Sequence, residues 1–345
     1  MSAWPHGAVG RPEVGILGTG SCLPGKIVPS RELEAGVQVP DGWIEQRIGV
    51  RERRFVQEGE TGLDLAVGAA RRALDAAGVD ADEVDAIILA TSTADLPIPG
   101  IGPRLQGLIG APNALAFDVN AACAGFLVGC ELGRGLLAGT PGMRHVLVVA
   151  TDTYSRATDP SDRRTHPLFG DGAGAVLLGR VPEGQGICGT GLYTDGRLSH
   201  YVTGGPGLPA PAAAPDTHFL KMSGREVADL VRSEFPRLVN EALKEEEMEL
   251  GDIDHLVCHQ ANPNLLQECA SAMGFAAEQL VLTGDRIGNT GAASIPLGLD
   301  IAWRDGRIKP GDTVLMISFG AGMTWGRTTM RWPDLPGAAT AEMAA

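Results

Sequence analysis

The feature that most constrains the fold is an internal repeat with a period of about 170 residues. Three strand-like segments of the first half recur, in the same order, in the second half. The matching pairs are 16–20 with 187–191, 84–88 with 253–257, and 146–149 with 313–317. A period this long predicts two similar halves rather than a solenoid, and two copies of one unit usually pack about a pseudo-twofold axis. Equivalent loops of the two halves would then converge on one site.

Helix-like and strand-like segments alternate along the chain, which favours an α/β fold. With 345 residues, 44% of them hydrophobic, the chain can bury a large core. We assign the two halves to 13–182 and 183–333, and we predict disordered ends at 1–12 and 334–345, where Pro, Gly and Ala are frequent. The elements predicted for the first half are a helix at 63–77, strands at 85–90 and 146–150, and a glycine turn at 169–175 that leads into a strand.

Charge and cysteine usage exclude several classes of function. The net charge of −14 argues against nucleic acids and anionic membrane surfaces as partners. The six cysteines lie far apart and form no CxxC pair, which indicates reduced thiols and a cytoplasmic protein. No signal peptide is visible, and we expect no apolar run as long as a membrane span.

One cysteine has a setting that suits a nucleophile. In the stretch 117–126 an apolar run gives way to small residues around Cys123, and a helix-like pattern follows. We interpret this as a strand, a tight turn and a buried helix, with Cys123 close to the helix N-terminus. Unpaired N–H groups and the positive end of the helix dipole would stabilise a thiolate there. For a lone cysteine the alternative is a small thiol buried in the core.

The duplication predicts that two further polar side chains lie beside Cys123. The loop at 285–294 is the equivalent of the Cys123 turn in the second half, and it carries Asn289. The strand equivalent to the one at 85–90 is followed by His259. A cysteine, a histidine and an asparagine from distant segments would thus meet in one place, which favours catalysis over a core role for each of them.

Two other kinds of site fit less well. His255 and His259 could suggest a metal pair, but on a strand they would stand about 13 Å apart, too far to share an ion. We therefore predict no metal site. A Cys-His protease would need a third residue that orients the imidazole, and no such motif is apparent.

Six segments form an ordered set of motifs. They are 118–126 around Cys123, 259–262 with the letters HQAN, 288–296 with GNTGAASIP, 169–175, 305–311 and 324–326. Together they resemble the signatures of β-ketoacyl-ACP synthase III in the thiolase superfamily. The resemblance covers roughly Val14 to Trp332 at the expected spacing. It implies an internally duplicated five-layer αβαβα thiolase fold and a homodimer.

The resemblance also implies a reaction and a role for each motif residue. In this family an acyl group moves from coenzyme A to the cysteine, here Cys123, and the enolate of a decarboxylated malonyl thioester then attacks it. His259 and Asn289 would donate hydrogen bonds to the malonyl thioester carbonyl oxygen. The backbone N–H groups of Cys123 and Ala321 would form the oxyanion hole. Acyl-CoA and the malonyl thioester are substrates, and no resident cofactor is implied.

A coenzyme A entrance and an acyl pocket are implied in the same way. Trp43 and Arg47 match family positions where the adenine is stacked and the phosphates are bound, and Arg163 matches the opposite wall. An indole face and guanidinium groups suit a purine and phosphates. The family's acyl pocket is often closed by an aromatic residue from a loop of the partner subunit. Ile98 stands at that position here, so the resemblance implies space for a longer or branched acyl group.

The surface expected to bind an acyl carrier protein departs from the family pattern. Members that dock acidic carrier proteins have basic residues on two helices, but the stretch 260–285 contains no Lys or Arg. Asp229 stands where a lysine is expected on the other helix, although Arg225 and Arg232 remain nearby. We expect weaker steering of an acidic partner. The positions that lack the charge on the first helix are 263–264 and 271–272.

The leading hypothesis is therefore decarboxylative Claisen condensation that primes a fatty-acid or polyketide chain in specialised metabolism. A dedicated acyl carrier protein is the candidate protein partner. One alternative is a related acyltransferase that acylates an oxygen or nitrogen of a small molecule and makes no C–C bond. The other is a catalytically silent partner subunit that only binds acyl groups.

Overall fold

The computed structural model describes residues 13–204 and 219–335, and its strands form two main sheets and two small ones. In chain order the strands are β1 Val14–Cys22, β2 Lys26–Pro29, β3 Glu52–Phe55, β4 Ala86–Ala90, β5 Leu115–Val119, β6 Val146–Thr153, β7 Asp171–Arg180, β8 Gly186–Thr194, β9 Val202–Thr203, β10 Lys221–Met222, β11 His255–Cys258, β12 Thr313–Gly320 and β13 Thr324–Arg331.

The helices fall mostly between consecutive strands of the main sheets, as expected for an α/β protein. They are α1 Ser30–Glu34, α2 Trp43–Ile48, α3 Gly62–Ala77, α4 Ile101–Ile109, α5 Gly125–Gly139, α6 Gly224–Glu245, α7 Pro263–Met273, α8 Gly284–Ile287 and α9 Ser294–Arg304. The helix predicted at 63–77 corresponds to α3. A capping box formed by Thr61 and Asp64 stabilises its N-terminus.

The first main sheet has the strand order β1-β7-β6-β4-β5. β4 pairs in parallel with both β5 and β6, while β7 is antiparallel to β6 and β1 is antiparallel to β7. β4 and β6 are buried along their whole length. The apolar sequence of β4 and of the first five residues of β6 is typical of strands covered on both faces. The carboxyl ends of the three parallel strands share one edge of the sheet.

The second main sheet repeats this topology in the order β11-β12-β13-β8. β11 is parallel to β12, and the pairs β12–β13 and β13–β8 are antiparallel. Leu256 of β11 also forms a parallel bridge with Leu280, on the side where β5 lies in the first sheet. β8, β13, β12 and β11 are therefore the counterparts of β1, β7, β6 and β4. The duplication predicted from the sequence is confirmed.

The two sheets and the helices form five layers. Leu127 of α5 and Leu297 of α9 share one core with Ile88 and Val148 of the first sheet and Val314 of the second. α5 and α9 therefore fill the middle layer. α3 and α4 pack on the other face of the first sheet, and α6 and α7 on the other face of the second. The predicted αβαβα order is confirmed.

The glycine-rich segment 169–175 is mostly strand rather than the predicted turn. β7 begins at Asp171 and continues through the glycines to Arg180. A Cβ on Gly174 would lie only 2.8 Å from the backbone nitrogen of Leu297 at the start of α9. The glycine is needed because the middle-layer helix approaches the strand so closely, and not because the chain turns there.

The central helix corrects one expectation from the sequence. By length and composition, the stretch 122–139 could cross a membrane, although we expected no such run. Most of it is α5, whose Phe126, Leu127 and Cys130 are buried in the core between the sheets. Its apolar composition is explained by contact with protein on both sides.

The predicted disordered ends fall largely outside the described residues, which exclude 1–12 and 336–345. At the C-terminus, Leu335 is 5% exposed and packs against the core between the sheets. The folded part of the second half therefore extends beyond residue 333.

Candidate active site

A cavity of about 1030 Å³ lies where loops from the carboxyl ends of both sheets meet. Cys123, His259, Asn289 and Ala321 all line it. A crevice at the carboxyl ends of parallel strands is the usual binding position in α/β folds. The three side chains and the backbone position predicted from distant segments are thus together in one cavity, as the duplication argument requires.

Cys123 lies in a short 3-10 turn between β5 and α5. The turn is held from the second half, because Ser318 Oγ donates a hydrogen bond of 2.8 Å to the carbonyl oxygen of Cys123. A Cβ on Gly320 would lie 3.0 Å from the nitrogen of Cys123 and 2.7 Å from the oxygen of Ala121. Glycine at position 320 therefore lets the end of β12, which leads into Ala321, lie directly against the backbone of Cys123.

The ionisation of Cys123 differs from the sequence-based expectation. Burial and, to a smaller extent, the charge of Asp152 raise the pKa of its thiol to about 12, although hydrogen bonds from Tyr154 and from the backbone oppose the shift. Cys123 is therefore a neutral thiol at pH 7 in this structure. The expected stabilisation at the helix N-terminus is outweighed, because a buried thiolate loses its hydration.

His259 follows β11 and is 4% exposed. Its Nδ1 lies 3.3 Å from Ser294 Oγ. Burial lowers the pKa of His259 to about 4, and a hydrogen bond with the backbone of Gly291 counteracts this only in part. The imidazole is therefore neutral at pH 7. In the tautomer in which Nδ1 accepts from Ser294 Oγ, Nε2 carries the N–H and can donate it to a ligand in the cavity.

Asn289 is fixed through its backbone and its side chain. Its N–H donates to Leu168 O and its carbonyl accepts from Gly170 N, both at 2.9 Å. Its side-chain Oδ1 accepts a hydrogen bond of 2.9 Å from Gly291 N. Because Oδ1 is occupied by a donor, the amide orientation is set, and Nδ2 finds no partner in the described part of the chain. Asn289 can therefore donate to a ligand without changing its protonation state.

A polar cluster beside Cys123 was missed at the sequence level. Tyr154 and Ser92 line the cavity, and their oxygens lie 2.6 Å apart. Ser92 Oγ is also 3.2 Å from Oδ1 of the buried Asp152, whose Oδ2 accepts from Ala292 N of the second half at 2.9 Å. Burial raises the pKa of Asp152 to about 6, although several hydrogen bonds lower it. Their position in the chain was the available signal. Ser92 is the second residue after β4 and Tyr154 the first after β6, and the carboxyl ends of these two strands lie at the edge of the sheet that carries the site.

The three residues expected at the coenzyme A entrance also line the cavity. Trp43 and Arg47 lie on α2, and Arg163 follows β6 in the chain. Arg225, at the start of α6, is a further lining residue. Ile98 does not line the cavity of its own chain, and its side chain is 86% exposed.

The surface formed by α6 and α7 carries little free positive charge. Arg232 of α6 forms a salt bridge of 2.8 Å with Glu268 of α7 and lies 3.5 Å from Asp229. Asn264 Nδ2 donates to Gln46 O at 3.1 Å, which connects α7 to α2. Ser271 is exposed and uncharged.

The remaining cysteines are all free thiols. Cys130, Cys258 and Cys269 are buried and pack in the cores, whereas Cys22 is half-buried and Cys188 is exposed. Across the described residues no group of three or more His, Cys, Asp or Glu side chains is placed to hold a metal ion.

Two family models match the chain. Residues 117–196 match 3-oxoacyl-[acyl-carrier-protein (ACP)] synthase III, and residues 243–332 match its C-terminal part. β-Ketoacyl-[acyl-carrier-protein] synthase III of Sphingopyxis alaskensis is 41% identical over 92% of this chain and 98% of that protein. A protein of Streptomyces coelicolor named β-ketoacyl-[acyl-carrier-protein] synthase III 3 is also 41% identical, over 92% of this chain and 97% of its own length.

Solved structures give the same result. 3-Oxoacyl-(acyl carrier protein) synthase III of Pseudomonas aeruginosa superimposes with a TM-score of 0.86 at 36% identity, covering 94% of this chain and 99% of its own. The priming β-ketosynthase of the R1128 polyketide biosynthetic pathway has a TM-score of 0.89 at 32% identity, covering 96% of this chain and all of its own. The chain therefore belongs to the β-ketoacyl-[acyl-carrier-protein] synthase III family, and it is an acyltransferase-type enzyme with a thiolase fold.

Proposed function

We propose that this enzyme transfers an acyl group from acyl-CoA to Cys123 and then condenses it with a malonyl thioester, with loss of carbon dioxide, to prime a fatty-acid or polyketide chain. The observation that carries the proposal is that one cavity contains Cys123, His259 and Asn289. Proteins named synthase III and a priming β-ketosynthase of a polyketide pathway share the fold at over 30% identity. Both substrates are thioesters, and the reaction needs no resident cofactor.

Acylation uses the nucleophile and the two backbone donors. Cys123 Sγ attacks the thioester carbonyl of acyl-CoA, and the oxyanion that forms is held by the N–H groups of Cys123 and Ala321. The close packing of Gly320 against the Cys123 turn supports this arrangement. Donors fixed in advance stabilise such an oxyanion by about 3 kcal/mol each. The thiol proton is transferred to the sulfur of the departing coenzyme A, so this half-reaction takes up and releases no net proton.

Condensation uses the two donors from the second half. When the malonyl thioester loses carbon dioxide, negative charge develops on its carbonyl oxygen. Asn289 Nδ2 donates to that oxygen, because its Oδ1 is already held by Gly291 N at 2.9 Å. His259 donates from Nε2 as a neutral imidazole, in the tautomer in which Nδ1 accepts from Ser294 Oγ at 3.3 Å. The enolate then attacks the acyl-Cys123 carbonyl, the C–S bond breaks, and Cys123 leaves as a thiolate that takes up a proton from solvent.

Coenzyme A binds at the entrance formed by Trp43, Arg47 and Arg163. All three line the mouth of the same cavity as the nucleophile. The indole stacks on adenine and the guanidinium groups pair with the phosphates. Because these positive charges lie together at the entrance, they can bind the phosphates of coenzyme A although the protein has a net charge of −14.

The carrier protein that supplies the malonyl group is a dedicated one with a less acidic face than a general fatty-acid carrier. Arg232 of α6 is paired with Glu268 at 2.8 Å, which leaves Arg225 at the start of α6 as the basic residue beside the cavity, and α7 contains no Lys or Arg. A docking surface of this kind steers acidic partners poorly. The weak steering supports a role in specialised metabolism.

The enzyme acts as a homodimer. β5 is the last strand of the first sheet, and Leu115 on it is 58% exposed. Ile98 and Leu108 nearby in sequence are 86% and 52% exposed. An open sheet edge next to exposed apolar side chains favours pairing with a second copy. Ile98 then reaches the acyl pocket of the partner and leaves room for a longer or branched acyl group.

Mass spectrometry of the intact protein tests the proposal. After incubation with a panel of acyl-CoAs, we expect one acyl adduct on Cys123, and we expect carbon dioxide when a malonyl thioester is added. Acylation followed by transfer to an alcohol or amine without carbon dioxide would instead show an acyltransferase that makes no C–C bond. Failure of every acyl-CoA to acylate Cys123 would show a silent acyl-binding subunit.

A further inference from the structure

The phenol of Tyr154 is held in one position beside the nucleophile. Tyr154 is 4% exposed, and its ring packs against Phe169 with the centroids 4.5 Å apart. Its hydroxyl lies 2.6 Å from Ser92 Oγ, and Tyr154, Ser92 and Cys123 line the same cavity. Hydrogen bonding by the Tyr154 hydroxyl lowers the pKa of the Cys123 thiol. A hydroxyl that contacts a reacting sulfur acts on the reaction directly.

We propose that Tyr154 is a catalytic residue whose hydroxyl donates a hydrogen bond to Cys123 Sγ and stabilises the thiolate that attacks the acyl donor. The identity of that donor as acyl-CoA rests on the proposed function. The stabilisation of the thiolate does not rest on the proposed function, because it depends only on side chains of this protein.

The hydroxyl protons of the cluster have two consistent arrangements. When Cys123 is a thiol, its S–H donates to the Tyr154 oxygen, Tyr154 donates to Ser92, and Ser92 donates to Asp152 Oδ1. When Cys123 is a thiolate, Tyr154 donates to the sulfur and Ser92 donates to the Tyr154 oxygen. Asp152 Oδ1 then still accepts from Ser92 N at 2.9 Å and from Thr93 Oγ1 at 3.0 Å. Two hydroxyl rotations interconvert the arrangements and leave no donor or acceptor of the cluster unpaired.

A dedicated donor is needed because the surroundings of Cys123 otherwise oppose the thiolate. Asp152, the nearby carboxylate on β6, repels negative charge on the sulfur. His259 contributes no positive charge, because burial keeps its pKa at about 4. A hydrogen bond to a charged group is a strong one, and here Tyr154 supplies it from a side chain.

The acylation step balances without a further reactant. The new bond joins Cys123 Sγ to the acyl carbon, and the bond that breaks joins that carbon to the sulfur of coenzyme A. The proton lost by the Cys123 thiol ends on the coenzyme A sulfur. Tyr154 keeps its own proton throughout and turns back to Ser92 once the sulfur is acylated.

The test is the rate at which a small reagent, iodoacetamide, alkylates Cys123 at a fixed, mildly alkaline pH. Tyr154→Phe removes the hydroxyl and little else. The loss of a hydrogen bond to a charged group raises the thiol pKa by about one to two units. A less stable thiolate is rarer but more nucleophilic, so we expect alkylation to slow about three- to tenfold. Peptide-level mass spectrometry separates Cys123 from the exposed Cys188, which serves as the internal reference.

Tyr193→Phe is the matched control. Its hydroxyl bonds to Glu241 at 2.8 Å, and the residue packs in the outer core of the second half. We expect this variant to be alkylated at the wild-type rate. Alkylation of Tyr154→Phe at the wild-type rate would overturn the proposal. If the variant also lost acylation by acyl-CoA while its alkylation rate stayed normal, Tyr154 would act on the acyl group and not on the thiolate.

A second measurement covers the case in which Tyr154→Phe does not fold. The chain has three tyrosines, so the double variant Tyr193→Phe, Tyr201→Phe leaves Tyr154 alone. Its replacement by 3-fluorotyrosine gives a more acidic phenol, which is a stronger donor. We expect faster alkylation of Cys123, and an unchanged rate would overturn the proposal. Neither measurement uses a thioester, so failure of the proposed function would be seen separately.

Discussion

The side-chain oxygen of Asn289 accepts a hydrogen bond of 2.9 Å from the backbone N–H of Gly291. This contact decides which end of the amide faces the cavity. An asparagine free to rotate could present either its oxygen or its nitrogen, and an oxygen would repel a developing enolate. The two-residue separation makes the orientation a local property of the loop that precedes α9.

Asn289→Ala should separate the two half-reactions. Acylation of Cys123 does not use this donor and should remain measurable. Decarboxylation of the malonyl thioester should fall at least about a hundredfold, the usual effect of removing one such donor. Acyl adducts are counted by intact-protein mass spectrometry and carbon dioxide is measured in parallel. Equal losses in both steps would show that Asn289 is needed for the site as a whole and not for the enolate.

Cys123→Ser should leave the fold intact and abolish acylation. Serine fits the turn, and the bond from Ser318 Oγ to the residue 123 carbonyl does not involve its side chain. A hydroxyl without an activating base is a much weaker nucleophile than a thiol. Circular dichroism checks the fold, and incubation with acyl-CoA should give no adduct. Our nucleophile assignment would be wrong if an adduct still accumulated elsewhere on the chain.

Burial of His259 should make the protein sensitive to mild acid. The pKa of His259 is lowered from 6.5 to about 4 in the folded state. As the pH falls through this window, the unfolded chain binds a proton that the folded chain does not, so the free energy of unfolding decreases, by about 3 kcal/mol in total. The contribution is fully present above 6.5.

His259→Asn keeps a polar atom near Ser294 but has no side-chain group that binds a proton in this pH range. Urea unfolding at about pH 7 and about pH 4.5 should therefore show a smaller acid-induced loss in the variant than in the wild type. Asp152 and Asp171, whose pKa values burial raises to about 6, act in the opposite direction. They act equally in both proteins, so the comparison isolates His259. An identical acid-induced loss in the two proteins would contradict the prediction.

Added positive charge on α7 should improve the use of a general fatty-acid malonyl carrier protein. Ser271→Lys with Ala272→Lys introduces two charges at exposed positions. Asn264 is left unchanged because it binds Gln46 O. Condensation by the double variant should rise severalfold at low salt, and the gain should shrink at moderate salt because ions screen it.

Asp75→Lys is the charge-matched control for that experiment. It also changes the net charge by two, and it lies at an exposed position on α3, which does not line the cavity. We expect no gain from it. Efficient, salt-sensitive use of the general carrier protein by the unmodified enzyme would contradict the proposal, because Arg225 and Arg232 would then be enough to dock it.

The architecture and the meeting of the three site residues could be predicted because both depend on order along the chain. Recurrence of strand-like segments identifies two like halves. Once the halves are aligned, the loops that carry Cys123 and Asn289 must face each other, and His259 must lie at the end of the neighbouring strand. None of these steps requires knowledge of how tightly the side chains pack.

What the sequence could not provide depends on distances between segments remote in the chain. The neutral thiol of Cys123 follows from loss of hydration at the bottom of a cavity that distant segments enclose, which no local pattern reports. From the sequence, Gly174 is interpreted as a turn residue, and only the position of α9 shows that it is needed for close packing against a helix. Tyr154 and Ser92 have no motif of their own, and their contact is made only because β4 and β6 are neighbours in the sheet.

The division of the site between the halves has a consequence for how such enzymes change over generations. A gene with an internal duplication encodes two copies of each loop. One copy can acquire a new function while the equivalent loop in the other half keeps its own. In the function proposed above, the half with Cys123 accepts the acyl group, and the half with His259 and Asn289 activates the malonyl thioester. Selection for a new starter acid can therefore alter the first half of the gene while the decarboxylation chemistry encoded in the second half is preserved.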